Sequence, residues 1–369
     1  MDQPSLLKRY RPYYRPGEVE RMTARQRGKL SISREERVRQ QACAFIDAVG
    51  VRCGFPRRTI ATAQTLYHRF HLFFPYAEFH YIVRSWPRSA DAQEVSLTTL
   101  YVACKLHDTL KKPRDIILAS YALRFPHLVR KTAVDVSAVD PATLEAERKR
   151  VLSVERLVLE TLCFAFGVAV PFPYVIKIGR RLGLGADSVR AAWRVAVDAH
   201  RTPAPLSFPP HVIALGSIYA AALLGSESTT PHAEGAKEDA TIQLLGKEGP
   251  WETEYAATAG AVDEVAHALL DLYTTILSTP ATDPSLQLYS PSPVSPREAS
   301  RSARPSPAPA SVGGTAYRLP TKWTPQALTE LKIHLRERRP GEMPWDEESD
   351  GEGVEGMGRS DATVRFVWD

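Results

Sequence analysis

LTTLYVACKLHDTLKKPRDI, residues 97–116, decides how this chain folds. Leu97, Leu100, Tyr101 and Cys104 line one face of a helix, and Thr99, Val102, Ala103 and Leu106 line another. A helix that is apolar nearly all round belongs inside a bundle, with other helices on every side. Ala103 and Cys104 are small enough to let those neighbours come close. The run ends in Lys105, His107 and Asp108, which with Cys104 have the residue types of a metal or nucleophilic site.

A second stretch argues against that site. SIYAAALL (217–224) aligns without gaps on TLYVACKL (99–106), matching Tyr219 to Tyr101, Ala221 to Ala103, Ala222 to Cys104 and Leu224 to Leu106. Two helical sets with matching central helices point to a duplicated bundle. Ala222 in the place of Cys104 marks that slot as one for a small apolar residue, and a free Cys behaves as one. A zinc site needs three or four ligands, and no companion cluster accompanies Cys104, His107 and Asp108. His107 and Asp108 are expected to stop the helix, and no metal or cofactor is expected.

The helical spans follow from spacing and caps. Ser33 and Glu36 form a capping-box pattern, so a helix is predicted from about 34 to Gly50, with Cys43, Phe45, Ile46 and Val49 inside. A second runs from Pro56 towards Pro75, with Ile60, Ala63, Tyr67 and Phe70 at helical spacing. Residues 95–109, 113–125 and 142–166 complete five, with no strand alternation over 34–166. The pattern then repeats at 171–183, 186–202, 209–225 and 261–277, interrupted near 225–260 by a loop with at most one weak helix. From 279 the chain turns rich in Ser, Pro and Ala and is expected to be largely disordered, because little apolar surface offsets ordering entropy. A short amphipathic helix is predicted near 325–338, before an acidic tail ending TVRFVWD. The fold class is therefore all-α: a basic arm (1–33), a first bundle (34–166), a second (167–278) and the tail (279–369).

Composition narrows the function. With 47 Lys+Arg against 42 Asp+Glu the net charge is +5, too small to demand nucleic acid. Residues 1–40 are locally basic, suited to phosphate, to an acidic partner or simply to a solvated arm. Four scattered cysteines without a CxxC pair, no apolar signal core and no run of about 18 apolar residues suggest a reduced intracellular protein with no membrane contact.

Lys105 stands apart from its neighbours. Its counterpart is the aliphatic Leu223, and on the helical wheel it joins Glu94, Thr98 and Thr109 in a narrow polar stripe. Glu155 is its equal in oddity, lying on the apolar line of Val151, Val158 and Leu162 while the polar face of that helix runs through Glu145, Lys149, Leu152, Arg156 and Glu160. A carboxylate on an apolar line is costly if buried alone. Glu155 therefore lies at a surface where something docks, or pairs with a cation such as Lys105.

Two five-helix sets, LYVACKL with its lysine, and RVLSVERLVLETLCFAF together resemble the paired boxes of cyclins over roughly 34–278. In that family the helix-three lysine and helix-five glutamate face the partner kinase, which the resemblance assigns to Lys105 and Glu155. TIATAQTLYHRFHLFFP, KLHDTLKKPRDI and VAVDAHRTPAPLSFPPHVIAL are most similar to transcriptional cyclins, in particular the beta-subunit family of fungal CTD kinases. The resemblance implies a non-catalytic nuclear subunit that activates a cyclin-dependent kinase acting on the C-terminal domain of RNA polymerase II in elongation, with a third, gamma subunit as a further partner. Mediator-type and cyclin K/L-type members are the competing assignments within the family. TFIIB-like DNA-binding factors share the paired bundles but usually begin with a zinc ribbon. A hydrolytic helical enzyme would need convergent acids, whereas Asp47, Asp108 and Asp198 fall at separate helix ends.

Two departures stand out. VRQQACAFI replaces the apolar substrate-docking run of cell-cycle cyclins, and VRSWPRSADAQE (83–94) lengthens the link between helices two and three, either as a surface loop or as a stretch retained from the gene. In the tail, LYSPSPVSP resembles the polymerase repeat and makes Ser290, Ser292, Ser295 and Ser306 candidate phosphosites, with ordinary Ser/Pro-rich disorder as the alternative.

Overall fold

The computed structural model describes residues 11–76, 94–130, 133–134, 139–225, 233–278, 317, 319–320 and 322–338. They form two compact units, one within Arg27–Leu159 and the other from the segments before Arg27, Glu160–Ser278 and from Tyr317 on. No helix among the described residues is long and apolar enough to cross a membrane.

The chain opens with α1 (Pro16–Arg27), followed by the first bundle: α2 (Ile32–Arg52), α3 (Arg57–Phe73), α4 (Glu94–Leu106), α5 (Pro113–Arg124) and α6 (Pro141–Thr161). Nine of the thirteen residues of α4 are buried, and α2, α3 and α5 pack around it. Cys43, Phe45, Ile46 and Val49 of α2 and Ile60, Ala63, Tyr67 and Phe70 of α3 all face the core, as the helical spacing predicts. A two-residue antiparallel pair, β1 (Val129–Arg130) with β2 (Ala133–Val134), is too short to leave an alternating pattern in the sequence. The start of α2 differs from the expected one. Ser31, not Ser33, caps it by accepting from the Arg34 amide, while Glu35 is buried between Arg27 and Arg39.

The second bundle contains α7 (Phe172–Arg181), α8 (Ala186–Ala199), the single turn α9 (Ala204–Ser207), α10 (Pro210–Gly225), α11 (Ala233–Leu245), α12 (Pro250–Tyr255) and α13 (Ala259–Ser278). Here α10 is central, buried from Pro210 through Leu224. The stretch expected to be a loop with at most one weak helix holds two. On α11 only sparse positions such as Thr241 and Leu245 turn inward, too few to show a period; Trp251 and Tyr255 anchor α12, whose Pro250 and Glu252 are ordinary start signals. The N-terminal segment is packed as well: Tyr14 and Val19 are buried, and the Tyr14 amide donates to the Leu206 carbonyl at 2.9 Å.

The amphipathic tail piece forms α14 (Pro325–Glu337), capped by the Thr324 hydroxyl and packed along α13. Leu328 and Leu335 of this predicted helix are buried, and Tyr317 and Trp323 ahead of it are buried as well. Two aromatic anchors and two leucines, spread over the segment, find a ready apolar face.

The duplication extends beyond the central helices. Gly50, Gly54, Ile60 and His71 align without gaps on Gly179, Gly183, Val189 and His200. A side chain on Gly50 would meet Ile60, and one on Gly179 would meet Val189, so the same close helix crossing occurs twice. Gly54 and Gly183 each end a helix in the left-handed region, with φ of 74° and 69°. His71 and His200 are both buried, and burial pushes each down to about 3. For a base whose folded value is depressed, stability is fully present above its ordinary value of 6.5 and is lost as pH falls below it. Urea unfolding at pH 5 is expected to show each unit weakened by on the order of 1–2 kcal/mol per histidine relative to pH 7. His71→Gln or His200→Gln should remove one share of that slope.

Candidate functional site

The polar stripe on α4 is real, and most of it turns towards α6. Lys105 Nζ donates to Glu155 Oε1 at 2.5 Å and stands 4.2 Å above the Tyr101 ring. Two turns back, the Thr98 hydroxyl is placed to donate to the Val151 carbonyl at 3.3 Å or the Glu94 carbonyl at 2.7 Å. At the start of α4, Glu94 accepts from Arg150 at 3.1 Å. The predicted fourth member, Thr109, belongs elsewhere: its hydroxyl meets that of Thr59 at 3.2 Å, on the α3 side.

Both members of the central pair lie at the rim. Lys105 is 42% exposed and Glu155 17% exposed, while Val151, Val158 and Leu162 on the line of Glu155 are buried. Partial burial lowers the affinity of Lys105 for its proton, but the hydrogen bonds and charge attraction from Glu155 and Tyr101 outweigh it and raise the value overall. The pair thus presents one cation with unused donor protons and one carboxylate with unused acceptor sites, side by side on the outer surface of two helices.

The other residues that suggested a site go to three different neighbours. Cys104 is fully buried, its thiol is pushed up by burial, and it donates to the Tyr101 carbonyl at 3.1 Å. His107 meets the Thr62 hydroxyl at 2.7 Å. Asp108 takes the left-handed conformation, φ 54°, just past the end of α4. Its amide donates to Lys105 and that of Thr109 to Cys104, the Schellman pattern that closes a helix. The loop beyond leaves Leu110 71% exposed. Among the described residues no group of three or more His, Cys, Asp or Glu is arranged to hold a metal. Ser290, Ser292, Ser295, Ser306 and the insertion from 83 to 93 lie outside the described residues.

One buried charge pair escaped the sequence reading. Arg124 of α5 donates to both carboxylate oxygens of Glu147 on α6 at 3.2 Å, with both residues buried and the guanidinium 5.2 Å from the Tyr121 and Phe125 rings. Its only sequence signal is that Glu147 falls one turn before Val151 on the inward line of α6.

Comparison with known proteins bears on the family and the fold. Residues 13–167 match the family model described as the cyclin N-terminal domain. The CTD kinase subunit beta of Schizosaccharomyces pombe is 36% identical over 208 residues, covering 56% of this chain and 56% of its own length. Cyclin pch1 of the same organism is 32% identical over 190 residues, half of each chain. The chain thus spans about half the length of the curated relatives it matches. A chain from the crystal structure of the yeast RNA Pol II CTD kinase CTDK-1 complex superposes with a TM-score of 0.56 at 22% identity, covering 90% of this chain and 92% of that one. At that identity the likeness is one of fold.

The two ion pairs on α6 differ in what they do for stability. Truncating one member of the buried pair, Arg124→Ala, should cost about 3–5 kcal/mol, since it strands Glu147. Lys105→Ala should cost no more than about 1 kcal/mol, because an exposed pair is screened by water. Urea unfolding of the two variants measures the difference.

Proposed function

We propose that this chain, whose residues 13–167 carry a cyclin N-terminal domain, is the non-catalytic regulatory subunit of a nuclear cyclin-dependent kinase that phosphorylates the C-terminal domain of RNA polymerase II. The observation that carries this reading is the rim pair Lys105–Glu155: Lys105 stands where the repeat has Leu223, and Glu155 lies on the apolar line of α6 at the outer surface. The relative named as a CTD kinase subunit beta supports the choice of substrate and the expectation of a kinase and a further subunit as partners.

The mechanism is selection by a preformed surface. A rigid helical face that fits only the active orientation of a kinase element shifts the kinase population towards it by differential affinity. Lys105 donates to backbone carbonyls of that element, and Glu155 accepts from its amides or from a basic side chain. The internal pair already orients both side chains, so less rotamer freedom is lost on docking. Activation requires no catalytic group from this chain.

Lys105→Ala or Glu155→Ala should weaken kinase binding by about 2–5 kcal/mol while the circular dichroism of the free chain is unchanged. The swapped chain Lys105→Glu, Glu155→Lys restores the internal pair but presents each charge in the wrong place, so it should remain defective in copurification and activation. Full recovery by the swap would mean that the pair serves only this chain's own fold. In the active complex, mass spectrometry should find phosphate on Ser290, Ser292 or Ser295, which sit in a copy of the proposed substrate's Ser-Pro pattern; unmodified serines would remove that part of the reading.

A further inference from the structure

The tail helix packs along α13, the last helix of the second bundle as α6 is the last of the first. The buried positions Val151, Val154 and Val158 of α6 align without gaps on Ala266, Leu269 and Tyr273 of α13. In that register Glu155 corresponds to Leu270, just as Lys105 corresponds to Leu223. The rim pair of the first bundle is therefore two leucines in the second, and Leu223 and Leu270 are both buried.

The same register inverts the flanking charges. Arg148, Lys149 and Arg156 of α6 become Asp263, Glu264 and Asp271 of α13. Each of these acids meets a cation of the tail: Asp271 pairs with Lys332, Glu264 with Arg336 at 2.5 Å and Asp263 with Arg338 at 3.8 Å. Apolar anchors run between and beside the charges. Leu328 and Leu335 are buried, and the Trp323 ring nitrogen donates to the Leu224 carbonyl at 3.0 Å, at the end of α10. The Tyr317 amide donates to the fully buried Asp198 at 2.9 Å.

A final correspondence concerns the matching tyrosines. Tyr101 has the Lys105 ammonium above its ring, supplied from its own helix. Tyr219 has the Arg338 guanidinium 6.0 Å from its ring centre, supplied from the tail. The second bundle thus takes from an added segment what the first bundle carries itself.

We propose that the outer face of α13 is a docking site specific for a basic amphipathic helix, filled in this chain by its own tail helix, Pro325–Glu337, and the residues flanking it. The basic residues on the corresponding face of α6 keep that helix off the first bundle by like-charge repulsion. The tail is a ligand attached in cis, separable from the core that receives it, and the assignment holds whether or not the first bundle binds a kinase.

The full-length variant Lys332→Glu, Arg336→Glu, Arg338→Glu tests this by releasing the tail while leaving α13 intact. Hydrogen exchange across 325–337 should rise by at least about tenfold. A fluorescent peptide of residues 317–338 should then bind the variant saturably, bind the unmodified chain at least about tenfold more weakly, and lose affinity as salt is raised. Adding Glu264→Lys and Asp271→Lys to the variant should abolish binding of that peptide and return protection to 325–337, because the reversed tail again matches the face it is attached to. Unchanged exchange in the triple variant, equal peptide binding to both chains, or binding indifferent to the α13 charges would each overturn the proposal. A second release variant, Leu328→Asp with Leu335→Asp, guards against a fault peculiar to the first. If both variants unfold the second bundle, the tail is core and not ligand.

Discussion

A helix with apolar residues on every side cannot lie at a surface, and two such helices, α4 and α10, set the terms for everything else in this chain. Each must be enclosed by other helices, and the enclosing helices can come close enough only where side chains are small. Ala103 and Cys104 meet that need on α4 itself. Gly50 against Ile60 and Gly179 against Val189 meet it where the enclosing helices cross one another. The protein solves one packing problem twice with the same devices, including a buried neutral histidine at the matching place, His71 and His200.

Enclosure leaves few places for a charge, which is why the exceptions carry meaning. Lys105 is the last cation of α4 before the chain turns at Asp108, and Glu155 stands opposite at the rim of α6. Arg124 of α5 and Glu147, on the inner side of α6, pair with one another and link the two helices. One ion pair is part of the framework; the other is left where a second molecule can reach it. In the second bundle the two corresponding positions are buried leucines, and the neighbouring acids pair with cations of the tail.

Much of this was legible from residue spacing. The central helices, their inward lines and the oddity of Lys105 and Glu155 all follow from which residues share a helical face, because packing leaves a strong period wherever a helix is buried on several sides. What spacing does not reveal is contact made by isolated anchors. On α11 the inward positions are few, and the tail is held by Tyr317, Trp323, Leu328 and Leu335, spaced five to seven residues apart. Thr109 illustrates a second limit. It shares a wheel position with Lys105, but α4 ends at Leu106 and the chain turns at Asp108, so its side chain leaves the stripe for Thr59. The opposite charges of α6 and α13 become visible only after the inward positions of both helices are known and can be aligned.

The closeness of Lys105 to Glu155 also has a bearing on speed. Held 2.5 Å apart, the two charges largely cancel beyond a few ångströms, so the pair projects little field into solution. An approaching molecule is not drawn to it from a distance, and salt should barely alter the rate of encounter. Its influence begins only at contact, when water leaves and each charge exchanges part of its internal bond for one to the newcomer. Such a site sorts its visitors by how long they stay and not by how often they arrive.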